Sequence, residues 1–247
     1  FDAEGNVAVT GAGYAKLLAA DDGALLWEHD FGTTMSIWDV EIIDDAYVLC
    51  GWIQGTTSIG DVEISSATTA SIDAVIDVMN GDGDARWGAT VTGDSQSVCN
   101  DLAVRDAAIY MSCGGACRNA MTSSEESLTI PGTSVTGLLN GAVLKFDLEG
   151  IPLWSADTGY VYRLDATSEA VYVNYLLWGS ETYGDTTFDT WGGDYDTLVV
   201  KLDAATGAGN WVIQAGGQGE DSPAGNHGVD SDGTEYLLAY IHSHPAY

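Results

Sequence analysis

The 247-residue chain carries 37 acidic and only 7 basic side chains, a formal net charge of −30, alongside 45 % apolar residues. That apolar share supports a large buried core, while a charge of this sign and size repels nucleic-acid phosphates and anionic membrane surfaces and argues against both as partners. No uninterrupted apolar stretch approaches the roughly 18 residues of a membrane span, and the start at Phe1 without Met marks a processed product or part of a longer chain.

In chain order, FDAEGNVAVTG (1–11) reads as a hairpin cut short at its start. AKLLAADDG and GALLW follow: a strand, an Asp/Gly turn and a strand bearing Trp27. Beyond Gly32, DVEIIDDAYVLCGW predicts an innermost strand near Trp38–Ile43 and a second at Tyr47–Trp52. A Ser/Thr/Gly-rich loop leads to a third strand at Ala74–Val78 and an outer one at Ala85–Ala89. NDLAVRDAAIYMSCGG then repeats the inner hairpin with Tyr110, and VLKFDLEG with GIPLW repeats the outer pair with Trp154. YRLDATSEAVYVNYLLWG carries Tyr172, DTLVVKLDAATGAGNW carries Trp211, and NHGVDSDGTEYLLAYIHS opens a last unit at Tyr236. The loops between second and third strands are expected on one face, with room for small extra hairpins.

A Gly thus stands four residues before a Trp in four places: Gly23/Trp27, Gly83/Trp87, Gly150/Trp154 and Gly207/Trp211. The tryptophans are 60, 67 and 57 residues apart, which marks internal repetition. Four short strands per period without helical periodicity predict an all-β propeller of four-stranded antiparallel blades, with a period of about sixty residues. The boundaries read as a part-blade 1–32, blades 33–93, 94–159 and 160–217, and a part-blade 218–247. Both ends carry the same hairpin, so they do not simply complete each other. The expectation is an incomplete ring, or part of a larger propeller: further blades outside this chain, or an open ring that pairs with another copy.

The Asp196–Asp221 stretch, D-x-x-V-x-K-L-D-x-x-x-G-x-x-x-W followed by G-G-x-G-x-D, resembles the seven-bladed β-propeller repeat (SBBP repeat) family. It is also similar to quinoprotein-like (PQQ-type) repeats, with their Ala-x-Asp-x-x-x-Gly-x-x-x-Trp signature. The resemblance covers nearly the whole chain as four copies and is sharpest in the last. It implies a propeller and, by itself, no activity. Quinoprotein enzymes hold their cofactor on the axis with calcium and charged ligands; here no adjacent Cys pair occurs and the basic residues are few and scattered.

Trp27, Trp87, Trp154 and Trp211 read as inter-blade packing anchors, since one fixed position in every repeat is what a core needs. Trp38, Trp52, Trp178 and Trp191 fall outside the pattern and are better candidates for exposed contact. His242 and His244 would share a strand face, as a metal clamp or merely a frayed end before Pro245; His29 and His227 have no evident partners. Asp outnumbers Glu by 26 to 11 and gathers in turns. Asp82 with Asp84, Asp194 with Asp196, Glu220 with Asp221, and Asp230 with Asp232 are calcium candidates, against plain hairpin-turn chemistry as the default. The charge fits either a high-salt environment or a calcium-containing extracellular one.

Cys99 and Cys113 lie symmetrically about Asp106 and would face each other in an antiparallel hairpin, which predicts a cross-strand disulfide; four free buried thiols are the alternative. The partners of Cys50 and Cys117 stay open. No N-x-S/T sequon and no GxSxG or HExxH motif occurs. The expected function is a non-catalytic extracellular or cell-surface module for protein–protein contact or assembly into a fibre, appendage or surface layer. Its partners would be other proteins or further copies of itself. The alternative is a secreted enzyme or carbohydrate-binding protein with its site on the axial face.

Overall fold

A computed structural model describes residues 1–92, 96–115, 141–183, 185–191, 195–217, 221, 227–229 and 235–237. Every regular element among them is a strand. The first sheet holds β1 (Val7–Gly11), β2 (Tyr14–Leu18) and β3 (Leu25–Asp30). The second blade joins β4 (Met35–Ile43) and β5 (Ala46–Ile53) to β8 (Asp73–Met79) and β9 (Ala85–Val91), with β6 (Thr56–Ile59) and β7 (Val62–Ser65) as a side hairpin between them. In the third blade β10 (Ser97–Val98) and β11 (Leu102–Arg105) share the inner edge of β12 (Ala108–Gly115), followed by β13 (Gly141–Asp147) and β14 (Pro152–Asp157). The fourth runs β15 (Tyr160–Ala166), β16 (Ala170–Trp178), β19 (Tyr195–Asp203), β20 (Gly209–Ala215), with the side hairpin β17 (Ser180–Tyr183) and β18 (Thr186–Asp189). A last hairpin pairs β21 (His227–Val229) with β22 (Glu235–Leu237).

All strand pairs are antiparallel, and β4, β11 and β15 lie side by side as the inner strands of successive blades. This is a propeller built as an open arc. Middle strands are sandwiched between neighbouring blades, so they are mostly apolar on both faces: β8 and the first eight residues of β16 are buried at every position, with Asp73, Asp77 and Asn174 as the polar exceptions. Outer strands meet water, and Leu25, Leu26, Ile151, Leu153 and Ile213 are exposed there. Three apolar clusters fill the blade boundaries. Leu17, Leu49, Val75 and Met79 join the first sheet to the second blade. Val48, Ile76, Ile109 and Phe146 join second to third, and Tyr110, Val143, Val173 and Val200 join third to fourth.

These three boundaries are closed by the same joint. The Trp27 indole N–H donates to the Gly81 carbonyl (3.2 Å), Trp87 to Leu148 (2.8 Å) and Trp154 to Ala204 (3.1 Å). Each ring lies on the glycine of the next blade's hairpin turn. A Cβ on Gly83 would come within 2.8 Å of Trp27, one on Gly150 within 2.8 Å of Trp87, and one on Gly207 within 2.7 Å of Trp154. These turns also need positive φ (+87°, +83° and +72°), which glycine adopts without strain. The Gly and the Trp of one motif therefore serve different boundaries.

The disulfide differs from the expected one. Cys50 pairs with Cys99, Cα atoms 5.7 Å apart, and Cys113 is a buried free thiol. Ser97 and Val98 do pair with Gly115 and Gly114, the register on which Cys99 would face Cys113. The ladder stops there because Ser112 Oγ accepts the N–H groups of both Asn100 and Asp101 (3.2 and 2.9 Å). The Cys99 N–H turns instead to the Gly51 carbonyl of the second blade (2.9 Å), which sets its sulfur beside Cys50. The bridge is inter-blade. Cys117 lies outside the described residues.

Candidate functional site at the blade axis

Where the inner strands meet, a cleft of about 300 Å³ opens between Trp38, Asp39, Glu41, Asp101, Leu102, Arg163, Leu164 and Asp165. Its walls follow from a repeat within the repeat. Asp39 on β4, Asp101 just before β11 and Arg163 on β15 follow one another at intervals of 62 residues. Register shifts between Ile37 and Asp39 on β4, and between Val161 and Arg163 on β15, interrupt the alternation and aim these residues at the neighbouring blade.

Two of the three are structural clamps as well. Asp39 Oδ2 accepts the Leu102 N–H (2.8 Å), and Asp101 Oδ2 accepts the Leu164 N–H (2.7 Å). Each carboxylate therefore fastens its blade to the next. Arg163 stands 3.5 Å from Asp101 and also donates to the Tyr162 carbonyl (3.1 Å). Arg105 Nε donates to the Ala166 carbonyl (3.1 Å). Trp38 remains 48 % exposed at the rim.

The cleft holds more acid than it can ionise. Burial, then the Asp39 and Asp165 charges, push Glu41 up to about 7. Burial, then Asp39, push Asp101 up to about 8, although the Leu164 N–H and Arg163 pull it down. Asp39 is raised by burial against its two backbone donors, Leu102 and Val40. At neutral pH the cleft is thus an acidic site holding protons a cation would displace.

Of the residues singled out from the sequence, Trp38 lines this cleft and the others lie elsewhere. Trp211 is 36 % exposed on β20, and Trp178, the last residue of β16, and Trp191, beyond β18, are half exposed. His29 Nε2 donates to the Gly83 carbonyl (2.7 Å). Asp82 and Asp84 are exposed on the β8–β9 turn, where Asn80 Oδ1 caps both their N–H groups (3.0 and 2.9 Å). Asp196 is buried and accepts the Trp191 N–H (2.8 Å) and the Gln214 amide (2.6 Å). It converges with buried Asp221 on Gly216, where a Cβ would stand 2.5 and 2.9 Å from their oxygens. Asp194, Glu220, Asp230, Asp232, His242 and His244 lie outside the described residues. Among the described residues no group of three His, Cys, Asp or Glu is placed to hold a metal ion. Asp39, Asp101 and Arg163 escaped the sequence reading; their equal spacing was the available signal.

No family model matches the chain, and no curated protein matches it. Among solved structures it is similar to a quinohemoprotein alcohol dehydrogenase from Pseudomonas putida HK5, with 10 % identity and a TM-score of 0.47, over 95 % of this chain and 36 % of that one. The chain spans about a third of that protein's length. It is also similar to Saccharomyces cerevisiae Sqt1, with 10 % identity and a TM-score of 0.30, over 98 % of this chain and 83 % of that one. Neither likeness bears on activity.

Proposed function

We propose that the chain is a non-catalytic, extracellular or cell-surface module for protein contact, whose axial cleft receives the cationic side chain of a protein partner. The carrying observation is the lining: Asp39, Glu41, Asp101 and Asp165 surround the space, with the half-exposed Trp38 ring at its mouth. An ammonium or guanidinium there gains charge-assisted hydrogen bonds and the face of an indole. The clamp duty of Asp39 and Asp101 supports a recognition role over a catalytic one. The inter-blade disulfide supports an oxidising compartment, and no described helix is long and apolar enough to cross a membrane. The Asp196–Asp221 pattern supports grouping the blades with SBBP repeats.

A second reading is a saccharide site, favoured by Glu41 and Asp101 holding protons near an indole rim, which suits sugar hydroxyls and a sugar face. Titration with a Lys/Arg-rich peptide and with a neutral oligosaccharide separates the two. The peptide is expected to quench emission in the wild type and not in Trp38→Phe, with affinity reduced about tenfold by Asp165→Asn but not by Asp61→Asn, an exposed control of equal charge change. Binding of the oligosaccharide alone would replace the proposal with the second reading.

A further inference from the structure

The charged side chains of the axial cleft stand in two tiers. Asp39, Asp101 and Arg163 form the first, one to each successive blade. Two residues further along come Glu41, Ala103 and Asp165, again at intervals of 62. The strands are regular here: Asp39 to Glu41 lie opposite Cys50 to Val48, and Arg163 to Asp165 opposite Asn174 to Tyr172. Residues two apart on a strand share a face, so the tiers are separated by about 7 Å. Ala103 contributes only a methyl group between the two acids of the second tier.

The tiers differ in what they offer a ligand. In the first, the carboxylates are held by backbone: Asp39 accepts the N–H groups of Leu102 (2.8 Å) and Val40 (2.9 Å), and Asp101 that of Leu164 (2.7 Å). Arg163 stands at the matching position but has no acceptor, so it cannot clamp in this way. Its Nη1 alone is engaged, with the Tyr162 carbonyl (3.1 Å) and, at 3.5 Å, with Asp101. Nε and Nη2 make no hydrogen bond among the described residues, and the side chain is 41 % exposed. The first tier therefore presents a guanidinium edge. The second presents Glu41 and Asp165 and includes no basic residue. A ligand that fills both tiers carries an anion and a cation about 7 Å apart.

We propose that the partner enters the cleft by a C-terminal lysine, its carboxylate on the Nε–Nη2 edge of Arg163 and its ammonium between Glu41 and Asp165. A guanidinium edge takes a carboxylate through two parallel hydrogen bonds, and an internal lysine has no carboxylate to give it. The four-carbon stem of lysine carries the ammonium from one tier to the other. A cleft of about 300 Å³ is at the small end of ligand sites, which suits one terminal residue better than a segment running through. This rests on reading the cleft as a site for a cationic side chain, and it names the chain end that bears it.

Calorimetric titration with two N-acetylated peptides of one sequence ending in Lys, one a free acid and the other an amide, tests this. The net charge of −30 favours the amide at long range, so a preference for the acid has to come from a local cation. The wild type is expected to bind the acid about tenfold more tightly. Arg163→Gln is expected to bind the two alike. Arg86→Gln, an equal charge change at an exposed pair with Asp45, is expected to keep the preference. Asp165→Asn is expected to weaken both peptides to the same degree. A wild type that binds the amide as well as the acid overturns this inference and leaves the cationic reading standing. A preference that survives Arg163→Gln overturns it too. Failure to bind either peptide sinks the axial reading and this inference with it. The wild-type comparison needs no variant, so a misfolded Arg163→Gln does not shield the inference.

Discussion

The Trp87 ring occupies the space a Cβ on Gly150 would need, 2.8 Å from it, while its indole N–H reaches Leu148 in the same turn. The sequence motif places Gly150 four residues before Trp154, yet its structural partner is the tryptophan of the preceding blade. Gly150→Ala must both strain the backbone and displace the indole, and is expected to lose about 2–4 kcal/mol. Gly23→Ala meets nothing among the described residues and loses only the backbone preference, about 1 kcal/mol. Urea denaturation of both variants checks the contrast; equal losses would refute the joint.

Reduction of the disulfide should loosen the second boundary. Cys50 and Cys99 are 49 residues apart in sequence, and opening such a loop costs about 2–4 kcal/mol. Cys50→Ser with Cys99→Ser is expected to lower stability by that amount, while Cys113→Ala changes it by less than about 1.5 kcal/mol. Peptide mapping should recover a Cys50–Cys99 link; a Cys99–Cys113 link would contradict the register described.

Asp77 is a carboxyl in the wrong place. It is fully buried on β8, its oxygens find no well-formed hydrogen bond among the described residues, and burial pushes it up to about 7 against a weaker pull from the Val78 N–H. The matching positions of the third and fourth blades are Leu144 and Val200, both buried. A carboxyl raised on folding binds protons more tightly in the native state. Its contribution is therefore most favourable below the unfolded pKa and declines as pH rises from about 4 to about 7. Asp77→Val is expected to stabilise the fold, by about 2 kcal/mol at pH 8 and by less at pH 5. Thermal unfolding at both pH values checks the sign.

The axial acids follow the same rule. Glu41 and Asp101, raised to about 7 and about 8, take up protons on folding. Their contribution to stability falls as pH climbs from about 4 through the folded values. Asp101→Asn keeps an acceptor for the Leu164 N–H and removes the titration. It should flatten that part of the stability–pH profile, and a slope left unchanged would mean Asp101 ionises normally.

The blades were legible because their outer hairpins repeat an Asp/Gly turn and a Trp at nearly fixed spacing, and the side chains concerned meet in the fold. The axial site was not. Arg163 replaces an acid at the third position, so the series Asp39, Asp101, Arg163 does not announce itself by residue type. The bulge at Trp38 also breaks the period-two alternation that would have assigned Asp39 and Glu41 to a face. The cysteine pairing failed for a local reason: the expected register exists at Val98, but Ser112 captures the next two N–H groups and turns Cys99 toward another blade. Pairing between blades leaves no trace in hairpin symmetry.

The proton count on binding tests the axial reading most directly. A cation entering the cleft favours the ionised forms of Glu41 and Asp101, so it must expel protons these groups hold near pH 7. Calorimetric titration with a Lys-rich peptide, in two buffers of different ionisation enthalpy, reads that release. The account predicts net proton release at pH 7, reduced in Glu41→Gln and in Asp101→Asn. Binding without proton release, or release unaffected by either variant, would place the partner somewhere other than the axial cleft.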